Sequence, residues 1–329
     1  MHDQLGLAMR ASHVLVALLL LAALVFAGVA GLSGDRFYLR LATEALIFAG
    51  LALSVDILLG YTGLLSLGQA LYFGLGAYLS ALVLRSTASF WLAIGVAVLA
   101  ASVVGLIGGL IVNRVRGVYF ALITFGLAQV VAKVVYNTRS LGASDGLRGV
   151  PVIEVPLGIV SISAGDAIGF FLFTLGFMTL LYALTAYFLD TAYGRVLIAL
   201  KANEKRVPFL GYSPFKARLT AYVLAALVAT LSGALYPMLR GFVSPELMFF
   251  SVSGNAVISV VIGGVGTLAG ALYGGLILTL LRSIVGSWTE HHLIVVGLVF
   301  MAMVIFMPKG ILGVLRPWIM RALAARAGK

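Results

Sequence analysis

Read from the amino terminus, the chain alternates long apolar runs with short polar interruptions. Runs able to cross roughly 30 Å of hydrocarbon lie at about 14–32, 41–59, 66–84, 91–112 and 117–136. Five more follow at about 166–189, 218–240, 251–268, 269–287 and 292–308. Apolar and polar residues do not alternate within them, and Leu, Ala, Val and Gly dominate, so the pattern predicts helices and not barrel strands. The expectation is an all-α polytopic membrane protein of about ten transmembrane helices, one transmembrane domain over residues 1–329. The stretches 60–68 and 263–270 are rich enough in glycine to read as broken or re-entrant helices. The run at 14–32, flanked by Arg10, exceeds the apolar core of about 7–15 residues in a secretory leader. It reads as a retained first helix rather than a cleaved segment.

Composition removes the soluble alternatives. Apolar residues make up 62% of the 329 and charged residues 10%, with 39 glycines besides, which leaves too little polar surface to coat a soluble domain. The net charge of +11 would suggest nucleic acid in a soluble protein. Here the bases fall mostly between apolar runs, the positive-inside pattern, and no nucleic-acid partner is expected. With the N-terminus in the cytoplasm, ten crossings return the C-terminus there. The cytoplasmic segments then hold Arg10, Arg114 and Arg116, the group Arg195, Lys201, Lys205, Arg206, Lys216 and Arg218, and Lys309, Arg316, Arg321, Arg326 and Lys329. Cysteine is absent, and the one Gly-Lys pair, Gly328-Lys329, is terminal, so neither thiolate chemistry nor a phosphate-binding P-loop is available.

The polar residues inside spans are candidate pathway linings: Ser66, Gln69, Tyr72, Thr124, Gln129, Ser253 and Asn255. Each could equally serve as packing glue between helices. Ionisable residues at membrane depth are scarce. Glu44 follows Arg40 by four residues, a spacing that pairs them on one helix face, and Asp56 stands near a span end where Arg114 or Arg116 could reach it. Arg282 is expected to snorkel outward. No ladder of intramembrane acids suggests a proton relay. His291-His292 lacks a neighbouring acid or cysteine cluster, so no metal is expected, and no catalytic set assembles. Gly105 and Gly109, and Gly266, Gly270 and Gly274 in series, fall at the four-residue period that brings helix backbones close. A weak internal echo links residues 63–74 with 266–275, one in each half, as in transporter repeats. The loop 190–217 keeps an apolar side in Val196, Leu197, Leu200, Phe209 and Leu210, suited to short amphipathic helices at a membrane surface or in a partner's groove.

These segments together resemble the permease subunits of bacterial ABC importers for branched-chain amino acids, specifically the larger of the two permeases of such a system. The resemblance runs from about residue 40 to 315. It rests on Gly60–Ala70 (GYTGLLSLGQA), Gly74–Tyr78 (GLGAY), Gly117–Thr124 (GVYFALIT), Ser144–Leu147 (SDGL), Ser232–Tyr236 (SGALY), Ile262–Thr267 (IGGVGT) and Pro308–Ile311 (PKGI).

The resemblance implies an inner-membrane permease that is not itself an enzyme and holds no cofactor, ATP being bound by partner subunits. Those partners would be a second homologous permease, two ATP-binding cassette ATPases and an external solute-binding protein, with lipid around the spans. It makes 190–217 a cytoplasmic coupling loop, with Ala202, Asn203, Glu204, Phe209, Leu210 and Gly211 docking into the ATPase. It places the binding protein near the external loop 137–165 and residues 241–250. Pro208 departs from the family pattern, and could begin a second short helix at its first turn. Asp56 stands where Asn is more usual, and Gln69 where the family often carries His. Transport of a branched-chain or other hydrophobic amino acid by alternating access is the implied function. Urea or a short-chain amide is the runner-up, and a stand-alone channel or ion-coupled carrier is the reading from another class.

Overall fold

Asp35, Asp166, Thr191 and Ser213 each stand just before a helix, with a side-chain oxygen accepting from its first free N–H groups. Pro214 follows Ser213 at the first turn, where its missing donor costs nothing. Between such starts and glycine-rich ends the apolar runs become helices. The computed structural model describes residues 2–33, 35–156, 161–288 and 291–315. Its helices are α1 (His2–Ser33), α2 (Arg36–Asp56), α3 (Gln69–Thr87), α4 (Phe90–Val112), α5 (Val118–Asn137), α6 (Ala167–Asp190), α7 (Ala192–Ala202), α8 (Pro214–Ala234), α9 (Tyr236–Arg240), α10 (Phe250–Gly263), α11 (Ala269–Trp288) and α12 (His292–Phe306). Arg316, Arg321, Arg326, Lys329 and the His292 side chain, all invoked above, lie outside the described residues.

Eight helical stretches among the described residues are long and apolar enough to cross a membrane. With α3 and the shorter α10 they give the ten expected segments. The run read as 251–268 is not one continuous span. α10 covers 14 residues, about 21 Å at 1.5 Å per residue, and ends at Gly263 in a turn with positive φ at Gly264, Gly266 and Leu268. Hydropathy counts this Gly-Gly-Val-Gly stretch as apolar, whereas its backbone does not continue the helix. α2 is prolonged by a wide π-helical turn, Ile57–Thr62, and extended chain then leads into α3.

α2 is the axis of the bundle: 83% of its stretch is buried, against 11% for the stretch containing α12. Helices close on it and on α8 at backbone distance. A Cβ at Gly275 of α11 would lie 2.5 Å from Ala49 Cα of α2. Between α3 and α8 the fit is reciprocal, since a Cβ at Gly76 would lie 2.0 Å from the Thr230 carbonyl oxygen and one at Gly233 would lie 1.9 Å from that of Phe73. Gly105 and Gly109 of α4 face Ala226 and Leu219 of α8, and Gly274 of α11 faces the Ser259 carbonyl of α10. Gly266 does not belong to that helical series, because it lies in the turn before α11. α1 runs along α6 and α11, where Tyr273 donates to the Leu15 carbonyl and Phe26 meets Phe171 edge-on.

The two ends of the bundle differ. One carries α7 and the α10–α11 turn. The other carries four short strands, β1 (Leu147–Arg148), β2 (Glu154–Pro156), β3 (Ser161–Ser163) and β4 (Phe242–Val243), paired antiparallel as β1–β4 and β2–β3.

Candidate functional site

At the α7 end three elements distant in sequence are joined by charged side chains. α7 buries Val196, Leu197 and Leu200 against the bundle, and its last turn points Lys201 at the end of α2. There the Lys201 ammonium donates to the Gly60 carbonyl at 2.8 Å, supplying a donor that the end of a helix lacks. Asp56, one turn back, is fully buried. Its carboxylate accepts from Gly266 N at 2.6 Å and Leu268 N at 2.9 Å in the α10–α11 turn. Asp56 is therefore partnered by backbone donors, not by Arg114 or Arg116, and the cation acting on it is Lys201. Only glycine fits at the contact: a Cβ on Gly60 would lie 2.6 Å from Gly266 Cα. The turn that opens the second echo segment thus meets the end of α2 just before the first, and each segment leads from a helix break into a new helix.

Beyond α7 the chain turns outward. Asn203 caps a 3-10 segment, Glu204–Leu210, which contains Pro208 and ends at Gly211 with φ of 80°. Pro208 lies inside this segment rather than starting a helix; the proline that starts one is Pro214. Glu204 anchors the segment through one oxygen shared by Arg116 at 3.0 Å and Arg218 at 3.3 Å. Asn113 donates to the Phe215 carbonyl at 2.7 Å and holds the α4–α5 turn beside it. The apolar side read from the sequence is split by this turn. Val196, Leu197 and Leu200 face the bundle, while Phe209, 89% exposed, and Leu210 project away from it.

The candidate lining residues do not form one group. Ser66, Gln69, Thr124 and Ser253 gather around the start of α3. Ser66 Oγ accepts from Gly68 N, Thr124 Oγ1 accepts from Leu67 N, and Ser253 Oγ accepts from Ala70 N at 3.0 Å. They satisfy N–H groups left free where the chain re-enters a helix. Gln69 Oε1 is buried there without a hydrogen-bond partner among the described residues. Tyr72 points elsewhere, donating to the Tyr222 hydroxyl of α8 at 3.1 Å. Gln129 sits in a shallow groove along α5 with Lys133 and Asn137. Asn255 lines a cavity of about 670 Å³ between α2, α9, α10 and α11.

That cavity opens towards the strand end, and it corrects one further reading. Glu44 does not pair with Arg40 one turn away; it holds Arg240, at the end of α9. Arg282, half-buried, lines the cavity from α11.

The permease component of branched-chain amino acid transport systems is the family whose model matches, over residues 37–307. Among curated proteins, the high-affinity branched-chain amino acid transport system permease protein LivM of Escherichia coli K12 is 28% identical over 321 residues, 91% of this chain and 76% of that protein. The corresponding LivH of the same organism is 23% identical over 81% of this chain and 91% of its own length. The autoinducer 2 import system permease protein LsrC of Yersinia pseudotuberculosis is 24% identical over 83% and 79%. No solved structure matches the chain.

Proposed function

From a chain that belongs to the permease components of branched-chain amino acid transport systems, we propose a membrane-spanning subunit of an ATP-driven importer for branched-chain or other hydrophobic amino acids. The segment from Lys201 to Gly211 carries this reading. One of its ends is bonded to both helix breaks through Gly60, Asp56 and Gly266, and the other projects Phe209 beyond the bundle. An ATPase gripping Phe209 and Leu210 would move α7, and through Lys201 the two breaks. The lysine and arginine bias puts this end in the cytoplasm, with both termini on the same side. Similarity to both LivM and LivH over most of the chain supports pairing with a second homologous permease. Two ATPases and an external binding protein complete the assembly by family analogy.

In this assembly the permease moves solute by alternating access, and the chain by itself is a passive gate. Purified alone into liposomes, it passes no leucine. With the ATPases, partner permease and binding protein added, uptake appears and requires ATP. Replacing Glu204 by Ala or Gly211 by Val leaves insertion intact but separates ATP hydrolysis from uptake. Leucine flux through the lone subunit without nucleotide would refute the importer assignment in favour of a channel or carrier. Urea uptake without leucine uptake would refute the substrate class.

A further inference from the structure

The cavity between α2, α9, α10 and α11 is not part of the α7 junction, and its lining is graded. On α2 the residues at helical spacing change along one face, from Arg40 and Glu44 near the strand end to Phe48 and Leu51 deeper in. α11 repeats the order, with Arg282 and Ser283 towards the strand end and Leu278 a turn deeper. α10 contributes Asn255 and Ser259 as neutral hydrogen-bonding groups. Charge is therefore confined to the mouth, where Phe37, Leu41 and Phe242 also stand, and the deeper wall is mostly apolar.

The charges at the mouth are unbalanced. Four ionisable side chains line the cavity: Arg40, Arg240 and Arg282 against Glu44 alone. Glu44 holds Arg240, whereas Arg40 and Arg282 have no acidic partner among the described residues. A guanidinium's planar fork donates to both oxygens of a carboxylate; Arg282 stands half-buried in the wall and Arg40 exposed at the rim. Glu44, only 13% exposed at its side chain, supplies the opposite pole, which an ammonium can reach by replacing Arg240. The volume of about 670 Å³ lies within the range of small-molecule sites. It suits one amino acid with water better than the paired acyl chains of a phospholipid.

We propose that this cavity is a binding site for a zwitterionic amino acid with an apolar side chain. Arg40 and Arg282 take its carboxylate, Glu44 its ammonium, and Phe48, Leu51 and Leu278 its side chain. The site rests on the importer reading and gives that reading a place where substrate waits on its way in.

The test measures equilibrium binding of radiolabelled leucine to the full-length chain, purified with its partner subunits in phosphatidylcholine nanodiscs, without binding protein or nucleotide. Leucine binds. Leucinamide, which lacks the carboxylate, and 4-methylpentanoate, which lacks the ammonium, compete roughly tenfold or more less well. Arg282→Gln weakens leucine binding by a similar factor and Arg282→Lys restores most of it, with the unfolding midpoint of both variants confirming a folded protein. Glu44→Gln removes the preference for leucine over 4-methylpentanoate. Equal competition by all three compounds, or Arg282→Gln binding like the parent, overturns the site. Loss of leucine binding in phosphatidylglycerol nanodiscs overturns it in favour of an anionic lipid headgroup. ATP-dependent uptake is measured alongside: uptake without leucine binding at the cavity sinks this site and spares the importer, and binding without nucleotide-dependent uptake does the reverse.

Discussion

The two ends of the bundle are built on opposite principles. At the α7 end the charged groups that meet the helix breaks, Asp56 and Lys201, are matched by backbone. Asp56 accepts two N–H groups of the α10–α11 turn, Lys201 donates to a carbonyl, and glycine faces glycine at Gly60 and Gly266. At the strand end a cavity remains open, and two of its three guanidiniums, those of Arg40 and Arg282, have no acidic partner among the described residues. Backbone contacts at glycine distance have almost no play, and α7 is tied to them through the Lys201 side chain. Side-chain contacts around a void can be exchanged for those of a solute. Under the proposed function, the tightly matched end would pass on force and the open end would take the cargo.

Removing Asp56 breaks the comparison most severely. Asp56→Ala leaves the buried N–H of Leu268 and the part-buried N–H of Gly266 without their acceptor, at a cost of about 1–3 kcal/mol for the first and less for the second. The unfolding midpoint drops sharply and uptake is lost with it. Asp56→Asn keeps one acceptor oxygen and loses about half as much, so an Asn variant as damaged as the Ala variant would show that charge, not acceptance, is what the turn needs. Lys201→Met comes next. It removes one charged hydrogen bond, about 1.5–3 kcal/mol, leaves the aliphatic stem against Gly63, and lowers transport per ATP hydrolysed more than it lowers the midpoint. At the opposite end, Glu44→Gln weakens a partly exposed pair and shifts stability by at most about 1 kcal/mol. Phe209→Ser is smallest of all for the isolated subunit, whose midpoint stays put, yet it lowers the yield of co-purified ATPase.

The sequence made the bundle legible where residues act through hydropathy. The runs at 91–112 and 117–136 became α4 and α5 within two residues, because an apolar helix is the one open-ended structure a membrane accepts. Contacts depending on tertiary approach were not legible. The four-residue spacing of Arg40 and Glu44 is a local signal, and it lost to Arg240, 196 positions away. Sequence position puts Asp56 within reach of Arg114 or Arg116, whereas its partners are backbone donors of the glycine turn at 264–268. The signal was present, since a glycine-rich turn frees N–H groups, but no pattern told which side chain would meet it. Lys201 was counted as part of a positive loop and its contact with Gly60 was missed. The strands, two or three residues each, are too short for alternation to register.

The smallest of those strands carry the longest reach. β1 and β4 join the chain after α5 to the chain after α9 through Leu147 opposite Val243 and Arg148 opposite Phe242. Gly146 packs so closely that a Cβ there would lie 2.0 Å from the Val243 carbonyl oxygen. Arg240, partner of Glu44, stands two residues before β4, and Phe242 itself lines the cavity. The ladder therefore latches the chain after α5 to the rim of the cavity: Arg148 is a single rung away from Phe242, which lines it.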